Sequence, residues 1–275
     1  MIQPRVPQID WSRGFARHWN GGNPAATHFF NALSFLFPQG ERFFIDQARE
    51  VAAGVDLSGD PSLAAAVKAF IAQEAIHGHQ HSQYNDVLSG QGYDNVSAEL
   101  ALRLEAHSYR VFSPLTRLAI VCAYEHYTAA LGDYVLTHPT VLEQAPAEMQ
   151  LVWGWHAVEE TEHKSVCFDL YRYAGGGWLR RVLIFVKVSA NFSRLFWRLY
   201  LDLLRRDGCF ARERRWQTLR DTARFLAGRR GIAWTVLAAG MRYLAPGFHP
   251  WNQDNRDRMQ HWLAAHQSSL RPVKR

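Results

Sequence analysis

Apolar residues recur along most of this chain at helical spacing. Each helical residue turns about 100°, so positions three, four and seven apart share a face. Runs such as HFFNALSFLF, SLAAAVKAFIAQEAI and LTRLAIVCAY place their Phe, Leu, Ala, Val and Ile in that way. No stretch alternates with period two between turn signals, so no strand is expected. Turn residues divide the pattern. Residues 1–24 contain Pro4, Pro7, Gly14, Gly21, Gly22 and Pro24 and read as an irregular arm, pinned to the body by Trp11, Phe15 and Trp19. A first helix starts at Asn23-Pro24, a capping residue followed by a first-turn proline, and runs to Gly54 with a break or kink at Pro38. A second follows the turn at 58–61 and ends at Gly90. The third helical region covers about 97–137, with a break expected at Pro114. A fourth ends at Gly175-Gly176-Gly177.

Residues 25–174 therefore read as a four-helix bundle. Residues 175–275 read as a helical extension that covers it, with helices at about 178–206, 211–227 and 231–244. An irregular APGFHPWNQDN segment follows, and then a terminal helix through Trp262. The fold class is all-α, and no internal repeat of fixed period is visible.

Chemistry concentrates on these helices. In WGWHAVEETEHKSVCFD, His156, Glu160 and His163 lie four and then three residues apart, on one face. Two imidazoles with a carboxylate between them are transition-metal ligands. Glu160 and His163 form Glu-x-x-His, the motif carried on two helices of di-iron and di-manganese bundles, where the other two helices each supply a glutamate. The second helix has the matching Glu74 and His77. The single glutamates are Glu41, set among Phe43, Phe44 and Ile45, and Glu125, the only acid between Leu115 and Gly132. An unpaired buried carboxylate is too costly to leave without a partner.

The candidate metal ligands are thus Glu41, Glu74, His77, Glu125, His156, Glu160 and His163. Glu159 rivals Glu160, because it too lies between His156 and His163. The loser, with Glu162, is expected to brace ligands or form a salt bridge. His81 is either an eighth ligand or a hydrogen-bond partner of one, and His79 points away to the surface. Tyr84, Tyr124 and Tyr127 read as core. Gly175 to Gly177 is a helix stop, with no strand before it to make a phosphate loop. Four carboxylates offset two divalent ions. The mixed donors favour two Fe ions, with Mn or Zn as substitutes. Phe43, Phe44, Trp153 and Trp155 would shield a reactive centre. The expectation is an O2-dependent di-iron oxidoreductase or oxygenase acting on a small organic substrate. The alternatives are a hydrolase with a dimetal-activated water and a non-enzymatic metal-binding bundle.

Four phrases, FPQGERFF, FIAQEAIHGHQHSQYN, HAVEETEHKSVCFD and PGFHPW, resemble those of the bacterial "predicted metal-dependent hydrolase" family of the ferritin-like superfamily. The resemblance covers most of residues 20–255. It implies a ferritin-like bundle and, by the family's name, metal-dependent hydrolysis. Separately, the spacing from His156 through Glu160 to His163 is similar to that of di-iron N-oxygenases of the p-aminobenzoate N-oxygenase type, which carry an extra histidine one turn before the second Glu-x-x-His.

Charge adds one asymmetry. Residues 1–171 hold 10 Lys+Arg against 19 Asp+Glu, whereas residues 172–275 hold 21 against 6. A solvated basic surface is the plain account of that C-terminal third. Contact with an anionic substrate, nucleic acid or a peripheral membrane surface is the sharper one, and of these nucleic acid is not expected. The longest apolar stretch, Val182 to Leu204, is interrupted by Lys187, Arg194 and Arg198, so it is a poor membrane span. Cys122, Cys167 and Cys209 are far apart and odd in number. A reducing cytoplasm is therefore the natural location. The first ten residues lack the apolar core of a signal peptide, which agrees. A homodimer is compatible with all of this.

Overall fold

The structure is a computed structural model and describes residues 2–273. It is all-α apart from one short ribbon. The long helices are α1 (Pro24–Ala53), α2 (Pro61–Gly90), α4 (Pro114–Thr137) and α5 (Ala147–His163). The first three begin alike, with a capping side chain followed by proline. Asn23 Oδ1 accepts from Ala25 N at 2.9 Å, Asp60 Oδ1 from Leu63 N at 2.9 Å, and Ser113 Oγ from Thr116 N at 3.4 Å. Pro38 does not end α1, which continues unbroken through it. The residues around it, Phe35, Phe37, Glu41, Phe43 and Phe44, are all buried, so packing holds the helix where local propensity would stop it.

Two apolar clusters fill the bundle, and each helix crosses from one to the other. Along α1 the order is Phe29 to Phe37 in the first cluster, then Phe43 to Val51 in the second. Along α2 it reverses, with Leu63 to Phe70 in the second and Tyr84 to Leu88 in the first. α4 runs as α2 does, from Leu118 to Val135. α5 runs as α1 does, from Met149 through Trp155 and onward into Val166. Thus α1 and α2 are antiparallel, as are α4 and α5, while α2 and α4 are parallel. The chain must therefore return the length of the bundle between α2 and α4. The segment that returns it contains α3 (Ala98–Val111), of which only Ser108 is buried. Between the two clusters lies a polar layer, made where all four helices cross from one to the other.

The fourth helix is shorter than the sequence suggests. α5 stops at His163, and after a turn at Lys164-Ser165 the chain resumes as α6 (Val166–Tyr173). Lys164 there reaches Gln253 O at 2.7 Å and Asn255 Oδ1 at 2.8 Å, contacts that only the distant C-terminal segment can supply. α4 and α5 approach closely at Gly132, where a Cβ would lie 3.0 Å from the Ala157 carbonyl oxygen. The remaining helices are α7 (Trp178–Arg206), α8 (Arg215–Ala227), α9 (Ile232–Tyr243) and α10 (Arg256–His266). α7 packs across α1 and α4, α8 on α1, and α9 on α4.

The expectation of no strand fails at the termini. β1 (Arg5–Pro7) pairs antiparallel with β2 (Leu270–Pro272), Val6 facing Arg271. Three residues are too few for any alternation to show, and the pairing joins opposite ends of the chain. No helix among the described residues is long and apolar enough to cross a membrane.

Candidate metal centre

Glu41 from α1, Glu74 and His77 from α2, Glu125 from α4, and His156, Glu160 and His163 from α5 meet in the polar layer. None is more than 4 % exposed. His163 Nε2 lies 3.2 Å from Glu74 Oε1, 3.3 Å from Glu125 Oε2 and 3.4 Å from Glu160 Oε2. On the other side of Glu160, Oε1 lies 3.0 Å from His156 Nε2 and 3.6 Å from His77 Nδ1. Glu41 groups with Glu74 and His77. It has room because α2 carries Gly78 opposite, where a Cβ would sit 3.2 Å from Glu41 Oε2.

The hydrogen bonds around this set fix what each histidine presents to it. Ser34 Oγ donates to Asn85 Oδ1 at 2.8 Å, so it must accept from His81 Nδ1 at 3.0 Å. His81 Nε2 then has only a lone pair to offer, and His156 Nδ1–H donates to it at 2.8 Å. That leaves the lone pair of His156 Nε2 facing the centre. Gln73 acts likewise. Its amide nitrogen donates to Glu162 at 2.9 Å, turning Oε1 toward His163 Nδ1–H at 3.0 Å. His77 Nε2–H faces the Glu159 carboxylate at 3.2 Å. Each of the three histidines thus has one nitrogen bonded outward and the other turned inward to the carboxylates. Against burial, Glu159 and Glu74 hold the His77 imidazole well above its usual range and Glu160 holds that of His163 above it, so without metal the inward nitrogens of these two carry a proton that an ion would replace.

Inside, among the described residues, they meet only one another. Both oxygens of Glu41, Glu74 and Glu125 lack a hydrogen-bond partner, as do His77 Nδ1, His156 Nε2 and His163 Nε2. Each such buried atom costs about 1–3 kcal/mol, so the nine together are comparable to or larger than the roughly 5–15 kcal/mol that ordinarily holds a domain together. Cations at the focus of these donors would satisfy them all. The protonation equilibria show the same tension. Burial pushes the Glu41 carboxyl well above the usual carboxylate range, with Glu74 adding to it. Glu125 is pushed up by burial and then by Glu160. For Glu160 burial acts upward too, but His163 and His156 overcome it and hold the carboxyl well below that range. His156 is pushed down to about 4 by burial and by His77.

The structure thus places all seven sequence candidates in one cluster. Glu160 faces its interior, while Glu159 sits outside against His77. His81 bonds His156 and also groups with Glu41 and His156, and His79 is exposed. Sequence reasoning missed four participants. Thr128 donates to Glu160 Oε2. Ser34 and Gln73 set the histidine tautomers. Arg5, from β1, donates through its backbone N–H to Glu159 at 2.9 Å and through its guanidinium to both oxygens of Glu162 at 2.9 and 2.8 Å. Gln73 and Thr128 each lie on a face beside a candidate glutamate, a spacing that could have flagged them. Arg5 had no local signal at all.

Beside the centre, a cavity of ≈ 140 Å³ runs between α1, α3, α4 and α7. Phe35, Phe44, Tyr124, Val188 and Leu195 make it largely apolar. Glu41 and Thr128 close its inner end, and Lys187 is the one exposed residue in its wall. A space of this size admits a benzene-like ring or short alkyl group.

A helical bundle whose four helices bring buried imidazole nitrogens onto buried carboxylates without hydrogen-bond donors of their own is built to hold metal, and the class is that of a metal-dependent protein. The particular family follows from the whole sequence. The model of the family described as "predicted metal-dependent hydrolase" matches residues 3–254, and the chain belongs to that family. No curated protein and no solved structure matches it. Family membership overturns the expectation of an O2-dependent di-iron oxygenase and favours the hydrolase alternative. That expectation rested on ligand spacing, which many reactions share, and donors of one kind cannot select among chemistries.

Proposed function

We propose that this chain is a hydrolase acting on a small substrate with an apolar body, through two divalent ions held by Glu41, Glu74, His77, Glu125, His156, Glu160 and His163. The observation that carries the reading is the shared orientation of the three imidazoles, each with one nitrogen bonded outward and the other turned inward to buried carboxylates. Two antiparallel helix pairs joined by one crossover also match the ferritin-like arrangement, in which such sites are built from Glu and Glu-x-x-His. Mixed carboxylate and imidazole donors suit Fe(II), Mn(II) or Zn(II). When bound, such ions polarise a substrate oxygen and make a water acidic near neutral pH.

The chain's own residues then divide the work. The cavity wall seats the apolar body and keeps bulk water from the centre. Glu41 is the one carboxylate of the cluster that also lines the cavity. Glu41 therefore stands between the ion site and the seated substrate and fixes where the scissile bond meets the centre. Thr128 holds Glu160 in orientation from the same wall.

The test loads metal-free protein separately with Zn(II), Mn(II) or Fe(II) and offers esters, amides and phosphate esters with phenyl or short alkyl groups. Metal-dependent hydrolysis that Glu41→Gln abolishes is the expected result. Failure of every loaded form to cleave any of these bonds, or O2 uptake by the Fe(II) form in place of hydrolysis, would overturn the reading.

A further inference from the structure

α7 has two solvent stripes. Leu179, Leu183, Val186 and Ala190, spaced four, three and four apart, form an apolar one, extended by Trp197 seven residues on. The first three of these are each more than half exposed. Beside it runs a basic stripe of Arg180, Lys187, Arg194 and Arg198, all exposed. The ion pairs of α7 with carboxylates lie at its far end, where Arg206 meets Asp202 and Asp94. None of the four basic residues has a carboxylate partner among the described residues.

The C-terminal turn of α9 meets the first half of α7. The Phe185 ring packs 4.4 Å from that of Tyr243 and within 3.5 Å of where a Gly240 Cβ would be, and the Trp178 indole donates to Leu244 O at 2.9 Å. α9 turns outward Trp234, Leu237 and Met241, each also more than half exposed. On the basic side stands the mouth of the cavity, with Lys187 Nζ 4.5 Å from the centre of the Phe112 ring, just beyond the end of α3. Residues 178–243 hold 15 Lys+Arg against 4 Asp+Glu.

We propose that this face of α7 and α9 seats on an anionic lipid bilayer, with the cavity mouth at the lipid surface. Apolar side chains that face water in such number mark a contact surface. Tryptophans at both ends of the α7 stripe, aliphatic side chains between them and unpaired Arg and Lys alongside fit the interfacial region, where rings and alkyl groups enter and cations meet headgroups. A second copy of the chain is disfavoured, because a face so strongly positive would meet its own charge. Nucleic acid would engage the basic stripe, but it has no use for Leu183, Val186 or Met241. An apolar substrate could then enter from the bilayer without crossing water.

The test is flotation of the full chain with vesicles of phosphatidylcholine alone and of phosphatidylcholine mixed with phosphatidylglycerol. Binding to the anionic vesicles only, weakening with salt, is expected. The double variant Leu183→Glu with Val186→Glu should lower partitioning roughly a hundredfold. Arg180→Glu with Arg194→Glu should lower it roughly tenfold. Circular dichroism and metal content should match wild type in both. No flotation by the wild-type chain, or flotation indifferent to the Leu183/Val186 pair, overturns the proposal. So does a dimer in light scattering that Leu183→Glu dissociates, or binding of DNA or RNA lost only with the arginines. The readout needs no turnover, so it stands or falls apart from the hydrolase reading.

Discussion

Two groups of histidine and carboxylate stand out among the described residues, one buried and one part-buried, and their hydrogen bonds set them apart. Around Asp207, at the end of α7, every acceptor is taken. Oδ2 meets His18 Nε2 at 2.5 Å and His28 Nε2 at 2.7 Å, Oδ1 takes Arg17 Nε at 2.8 Å, and the Tyr93 hydroxyl reaches both oxygens at 2.7 Å. Burial acts to raise this carboxyl, yet the donors, His28 first, hold it far below the usual range. The carboxylate is content, and it ties the N-terminal arm, α1 and the α2–α3 connection to α7. In the centre between α1, α2, α4 and α5, nine buried atoms have no partner, and two carboxyls are forced upward. The same residue types thus make a structural knot in one place and an invitation to cations in the other. What separates them is how many donors the chain itself supplies.

The comparison breaks most sharply at Glu160, which faces three histidines. Glu160→Ala should reduce metal from about two ions per chain to one or none. Hydrolytic turnover should fall about a thousandfold, several kcal/mol on the barrier. Elemental analysis beside the rate decides it, and a variant that keeps both ions would place the site elsewhere.

Asp207→Ala is the converse. It should leave metal content unchanged but lower stability by about 3 kcal/mol, because buried donors lose their acceptor. For a domain of this size that is roughly 8 °C in Tm.

A third change should stabilise. The folded Glu125 carboxyl holds its proton more tightly than the unfolded chain does, so metal-free stability falls as pH rises from the ordinary carboxylate range through the raised value. Glu125→Gln removes that slope. Metal-free Glu125→Gln should melt roughly 5 °C above metal-free wild type at neutral pH and equal it in acid, whereas added metal should protect only wild type. Melting curves across pH, with and without metal, would expose a structural glutamate by the opposite sign.

Smaller effects sharpen the boundary of the centre. His81→Ala frees the His156 ring and should weaken metal binding about tenfold, read by competition with a chromophoric chelator. His79→Ala, on the exposed face of α2, should change neither metal nor melting. A loss of metal there would mean the helix faces are misassigned.

The same residues show how much was legible in advance. Glu74, His77, Glu160 and His163 announce themselves because helix geometry turns spacing into direction. Glu41 and Glu125 do so because a lone acid inside an apolar run needs a partner. Gln73 and Ser34 do not, since an amide or hydroxyl on a helix face is ordinary until one sees which imidazole nitrogen it touches. His81 stayed ambiguous for the same reason. Its role turns on the Ser34 hydroxyl, whose orientation depends in turn on Asn85. The function was the least legible, because ligand spacing carried the oxygenase expectation and only the family match across residues 3–254 redirected it.

By itself the sequence determined most of the helices, the cap at Asn23, and the faces that carry acid and imidazole. Those follow from local periodicity, which needs no partner. The tertiary structure alone decided the rest. It carried α1 through Pro38, ended α5 at His163 beside Lys164 and its distant partners, and chose Glu160 over Glu159 for the interior. It also joined Arg5 to Glu159 and Glu162 through a ribbon between opposite ends of the chain. Each of these is a contact between residues far apart in sequence, and its free energy exists only once both sides are packed together.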